Sequence, residues 1–230
     1  MKRGVWLALI AVLLAGAAAQ GATMTVKLQF VNHLQAKLPE QDVFILRTAG
    51  SGQVYRVTAA DKDRNAILYA AAQPVRHNPF SSKANGPYKQ GRSLGITLSQ
   101  WLDASGSGNY SCANGTGTVR ASFKNLVPRA LYTMWYFFLP TPPTQPFTGT
   151  LDLPLGARDG SQNSFQADSA GSAVFRATFK PCLQLSNEQL ASGLAIAWHS
   201  DGKAYGSDAG PFGYRSHVQL FLLLPPATAR

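Results

Sequence analysis

Apolar and polar positions alternate with a period of two along most of this chain. In TVKLQFVN, Val26, Leu28 and Phe30 alternate with Lys27 and Gln29; in TVRASFKNL, Val119, Ala121 and Phe123 alternate with Arg120, Ser122 and Lys124. That period predicts strands with one buried and one solvated face. QDVFILRTAGSGQVYRVTA reads as two strands around Gly50, Ser51 and Gly52, a hairpin signal. NSFQADSAGSAVFRATF reads as a second hairpin, with Phe165 and Ala167 before its turn and Ala173, Phe175, Ala177 and Phe179 after it. ALYTMWYFFLP is apolar on both faces, as a central strand is. NAILYAAA, GLAIAWHS and HVQLFLLLP are further strands, with Asp201-Gly202 as a hairpin turn after GLAIAWHS. One short helix is predicted at residues 100–104, capped by Ser99 and stopped by a Gly-Ser cluster. Residues 74–93 are rich in Pro, Gly and basic side chains and predict a long loop. Roughly ten short strands with Gly, Pro and Asn-Gly punctuation give an all-β, immunoglobulin-like antiparallel β-sandwich with one short helix.

The N-terminus adds a compartment. Lys2 and Arg3 precede an apolar run from Val5 to Ala15, and Ala17-Ala18-Ala19 follows as an A-x-A cleavage site. This is the pattern of a secretory signal peptide, residues 1–19, with residues 20–230 as a single mature β-sandwich domain. No later apolar stretch is long enough to span a bilayer. An exported chain with two cysteines, Cys112 and Cys182, is expected to join them in a disulfide.

Charge narrows the partners. The chain carries 21 Lys and Arg against 11 Asp and Glu, a formal charge of +10. Loss of Lys2 and Arg3 with the leader lowers this to +8, that is 10 − 2. Such a balance favours an anionic glycan or an acidic envelope protein. The basic residues are dispersed and no nucleic-acid module is present, which argues against nucleic acid.

Little of the sequence reads as catalytic. There is no G-x-S-x-G elbow. The aspartates are mostly single and sit beside Gly, Ser or Ala, where aspartate builds turns. The segment AWHSDGKAYGSDAGPFGYRSH concentrates what remains. His199 and His217 flank it and, with Asp201, form a candidate copper or zinc site, since both metals favour imidazole. Tyr205, Tyr214, Lys203 and Arg215 form a candidate binding surface for a sugar or a protein. Trp198 is in phase with Leu194 and Ile196 and is expected in the core.

Two resemblances follow from particular motifs. An L-x-P-x-x-x-Y-T-x-W strand followed by an A-D-x-x-G-x-A-x-F hairpin resembles uncharacterised exported bacterial β-sandwich proteins, over roughly residues 94–224. A fainter likeness is to copper-zinc superoxide dismutases, in which a G-L-x-P-G turn leads into a strand bearing an H-x-H copper motif. Here NLVPRALYTMWYFF has no histidine, so a copper site of that kind would have to be rebuilt around His199 and His217. The expectation from the residues is an exported, non-catalytic β-sandwich that binds a partner or contributes to the cell envelope. The alternative is an exported copper or zinc protein, dismutase-like in character.

Overall fold

A computed structural model describes residues 23–36, 42–75, 83–142 and 149–226. The expected leader lies outside the described residues, as does His77. In chain order the strands are β1 (Met24–Phe30), β2 (Phe44–Ile45), β3 (Gln53–Arg56), β4 (Ile67–Ala71) and β5 (Tyr88–Thr97). After the helix α1 (Leu98–Leu102) come β6 (Ser105–Ala113), β7 (Thr116–Lys124), β8 (Leu131–Pro140) and β9 (Leu151–Pro154). The chain finishes with β10 (Ser164–Gln166), β11 (Ala173–Phe179), β12 (Leu190–His199) and β13 (Ser216–Leu223). No helix among the described residues is long and apolar enough to cross a membrane.

Two antiparallel sheets form the sandwich. Sheet A has the order β1-β6-β7-β11; sheet B has the order β10-β8-β12-β13, with β9 also paired to β8. Their inner faces share one apolar core: Phe30, Tyr110, Phe123 and Phe175 from sheet A meet Tyr132, Met134, Ile196 and Trp198 from sheet B. The expected central strand is β8, flanked by β12 along its whole length. A small closed sheet, β2-β3-β5-β4, stands beside the sandwich around Phe44, Val54, Ala71 and Val75. Cys112 and Cys182 are joined, tying the end of β6 to the segment that follows β11.

Four local expectations are corrected. The predicted hairpin at residues 163–179 is a crossing: β10 pairs with β8 in sheet B, whereas β11 pairs with β7 in sheet A. Phe165 carries the crossing through the core, stacking on Phe123 and Tyr132 and meeting Phe175. Of the loop expected at residues 74–93, residues 76–82 lie outside the described residues, and from Tyr88 onward the chain is β5, whose polar, Gly-containing first half pairs with β3 and β4 without burying an aliphatic face. The helix starts two residues earlier, at Leu98, with Thr97 rather than Ser99 as its cap. Thr97 and Gln100 form a reciprocal capping box, which a single serine at position 99 cannot match. Asp201-Gly202 turns the chain but does not close a short hairpin, since the partner of β12 begins only at Ser216.

Candidate functional site

The end of sheet B where β12 stops and β13 starts carries both histidines. Trp198 lies opposite His217, and His199 lies opposite Ser216. Side chains alternate along a strand, and residues directly opposite share a face. His217 therefore joins Trp198 on the inner face, with ring centroids 5.4 Å apart. His199 is on the outer face, where its ring meets Tyr205 at 5.6 Å. The expected metal site needs both rings to reach one ion. Two imidazoles on opposite faces of one sheet do not aim at a common ion about 2 Å from each nitrogen. Among the described residues no three His, Cys, Asp or Glu side chains gather as a ligand set.

Each imidazole is instead occupied locally. His199 Nε2 lies 2.7 Å from Thr133 Oγ1, which also accepts from Trp135 Nε1 at 2.7 Å. The threonine hydroxyl can then donate its own proton to the imidazole. His199 Nδ1 is buried without a protein partner, as is Oγ of Ser216 directly across from it. His217 Nδ1 donates to the Asp42 carbonyl at 2.7 Å, so Nε2 is the acceptor for the Ser200 hydroxyl at 2.9 Å. Burial lowers both rings to about 4, against a smaller upward pull on His199 from Asp201 and on His217 from Asp42. Both are neutral at pH 7.

Ser200 and His217 have the spacing of a nucleophile and its base. Their surroundings make them a structural relay. Ser200 Oγ takes Arg92 Nη2 at 2.7 Å and lies 3.2 Å from the Arg215 carbonyl, and the imidazole beyond it is wholly buried. The relay links β5, β12 and β13 to Asp42. The Asp42 carboxylate receives Val218 N at 2.9 Å and stands 3.6 Å from Arg56 Nη1, both side chains being fully buried. Phe44 and Tyr88 pack their rings against the Arg56 guanidinium.

The expected binding residues form a network of their own. Tyr205 donates to Asp201 Oδ2 at 2.7 Å, and Arg215 Nη1 reaches the same oxygen at 3.3 Å. Arg215 also lies over the Tyr214 ring, 4.8 Å from its centroid. These bonds hold the Asp201 carboxyl below the usual carboxylate range despite partial burial. Tyr205, Tyr214, Arg215 and Asp201 thus order the loop over His199, while Lys203 stays exposed. The loop is seated on its neighbour by Gly160, at φ +79°, which abuts the Gly206 backbone.

A different surface has the chemistry of a binding face. On the solvent side of sheet A, Lys27 pairs with Asn109, Asn109 with Arg120, and Arg120 with Arg176. One row across four strands therefore holds three cations and an amide. The neighbouring rows are Gln29-Ser107-Ser122-Val174 and Thr25-Ser111-Thr118-Thr178. Lys124 extends the charge along β7. No acidic residue stands on this face among the described residues, and none of the four cations forms an ion pair with a described residue. The sequence showed the solvent-facing parity of Arg120 and Lys124. It did not show the register that aligns them with Lys27 and Arg176.

No family model matches the chain, and no curated protein matches it.

Proposed function

We propose that the protein is an exported β-sandwich that binds an anionic glycan of the cell envelope through the solvent face of sheet A. The observation that carries this reading is the Lys27-Asn109-Arg120-Arg176 row on an acid-free face. Like charges directly opposite on neighbouring strands are unfavourable. An anion bridging Arg120 and Arg176 relieves that repulsion. Three strand spacings of about 4.8 Å give the row a length of about 14 Å, suited to an extended polyanion. Asn109 within the row and flanking Ser, Thr and Gln side chains offer donors and acceptors to sugar hydroxyls. The face carries no exposed aromatic anchor of the kind that marks protein interfaces. Export is supported by the leader pattern and by the disulfide, which persists in oxidising compartments.

The test is retention on immobilised dextran sulfate and polygalacturonate, with neutral dextran as control. The wild-type protein is expected to bind both anionic matrices and to elute as salt rises, because exposed charges are screened. Arg120→Ser with Arg176→Ser is expected to weaken binding about tenfold, the sum of two exposed contacts. Unchanged retention of the double variant, or equal retention on neutral dextran, overturns the proposal.

A further inference from the structure

The two sheets part at one edge of the sandwich and leave a pocket of about 210 Å³. Its floor is Tyr136, Leu155 and Leu183, all buried, and Phe138 and Phe179 form half-buried walls. The aromatic side chains of the lining are fixed by contacts with one another and with Gln184 and Tyr110. Tyr136 donates to the Gln184 carbonyl at 2.7 Å and meets Phe138 edge-on at 4.4 Å, while Phe179 stacks on Tyr110. Arg158 and Lys180 stand exposed on the rim. No lining residue is acidic. The nearest carboxylate along β9, Asp152, lies opposite Phe137 and so on the other face of sheet B from Tyr136. An apolar, ring-lined cavity with two cations at its mouth and no anion inside selects a ligand by both shape and charge.

We infer that this edge pocket binds a small aromatic carboxylate, with its ring between Phe138 and Phe179 and its carboxylate between Arg158 and Lys180. The volume sets the size. At about 30 Å³ per water molecule the pocket displaces about seven waters, enough for one substituted ring and not for a drug-sized ligand. The guanidinium of Arg158 matches a planar carboxylate through two parallel donors, and Lys180 adds a point charge. The site is distinct from the cationic row on the face of sheet A and stands or falls without it.

The experiment is a fluorine NMR titration of the disulfide-intact protein with 4-fluorobenzoate, and in parallel with its neutral isostere 4-fluorobenzamide. Saturable binding of the carboxylate is expected, with a dissociation constant on the order of 1 mM for so small a ligand. The amide is expected to bind about tenfold more weakly, since it forgoes both cations. Arg158→Gln and Lys180→Gln are each expected to weaken the carboxylate about threefold and to leave the amide unchanged. Both side chains are exposed, so the variants keep the fold. Equal binding of carboxylate and amide, indifference of the carboxylate to both substitutions together, or no saturation at concentrations about tenfold above the expected constant each overturns the inference.

Discussion

Arg120 and Arg176 stand directly opposite one another on neighbouring strands of sheet A, with no carboxylate on the face they share. Their repulsion is a property of the free protein. Replacing either with serine is expected to leave stability unchanged or to raise it by up to about 0.5 kcal/mol in low salt. The gain is expected to vanish at 1 M salt, where screening shortens to about 3 Å. Urea midpoints at the two ionic strengths check this; a loss of stability at low salt contradicts it.

Acid is expected to destabilise the protein through its two buried histidines, His199 and His217. In the folded state both imidazoles titrate near 4, below the ordinary value of 6.5, because burial disfavours their charged forms. The unfolded chain therefore binds more protons between pH 6.5 and 4. Stability is complete above about 6.5, falls as pH drops through that window and levels near 4. Each ring contributes on the order of 3 kcal/mol to the fall. Urea midpoints from pH 7.5 to 4.5 are the measurement. His217→Gln is expected to flatten the profile by about half, and a flat wild-type profile refutes the account.

Thr133 is the hinge of a buried polar chain. Its hydroxyl serves Trp135 Nε1 and His199 Nε2 at once. Thr133→Val keeps the shape but strands a buried indole N–H, and is expected to cost about 2–3 kcal/mol. Thr133→Ser keeps the hydroxyl and is expected to cost less than half of that. Equal losses in denaturant unfolding would show that the methyl, not the hydroxyl, matters.

The disulfide closes a loop of 70 residues. Chain entropy alone assigns it about 4 kcal/mol. Cys112→Ala with Cys182→Ala is expected to lower the unfolding free energy by that order without changing the strand content seen by circular dichroism. A double variant as stable as the parent overturns this.

Gly160→Ala addresses the loop contact. A Cβ at this position would meet the Gly206 backbone, and φ is +79°. The substitution is expected to lift the loop over His199 and to raise hydrogen exchange at Tyr205 and Gly206 more than in β12. Uniform exchange across both segments would place the contact elsewhere.

What was legible in the sequence was local. β8 declared itself because both parities are apolar, and β7 and β11 because one parity is apolar and the other polar. The crossing between β10 and β11 was hidden because the Asp168 turn has the same chemistry whether the chain returns to its own sheet or leaves it. The Asp168 side chain accepts from Ala170 and Ser172 in either case, and only Phe165, passing between the sheets, distinguishes them. The faces taken by the two histidines were hidden for a related reason. Spacing along the chain put them at the same rim, but face is fixed by register, and β13 shifts register between its pairings to Ile196 and Ala197. That irregularity places Gln219 inside, bonded to Tyr132 and to the Trp101 carbonyl. The cationic row needed three strand registers at once, which no local window contains.

Val31, just past β1, exchanges both backbone hydrogen bonds with Phe221 of β13. The first strand and the last thus meet across nearly the whole described chain. A polypeptide delivered from its N-terminal end, whether by a ribosome or through a translocon, cannot make this closure until its final strand has emerged. Until then sheet B lacks β13 and β12 has an open edge. The topology therefore makes the emergence of β13 the event that completes sheet B, and contacts between the first and last described strands are among the latest to form.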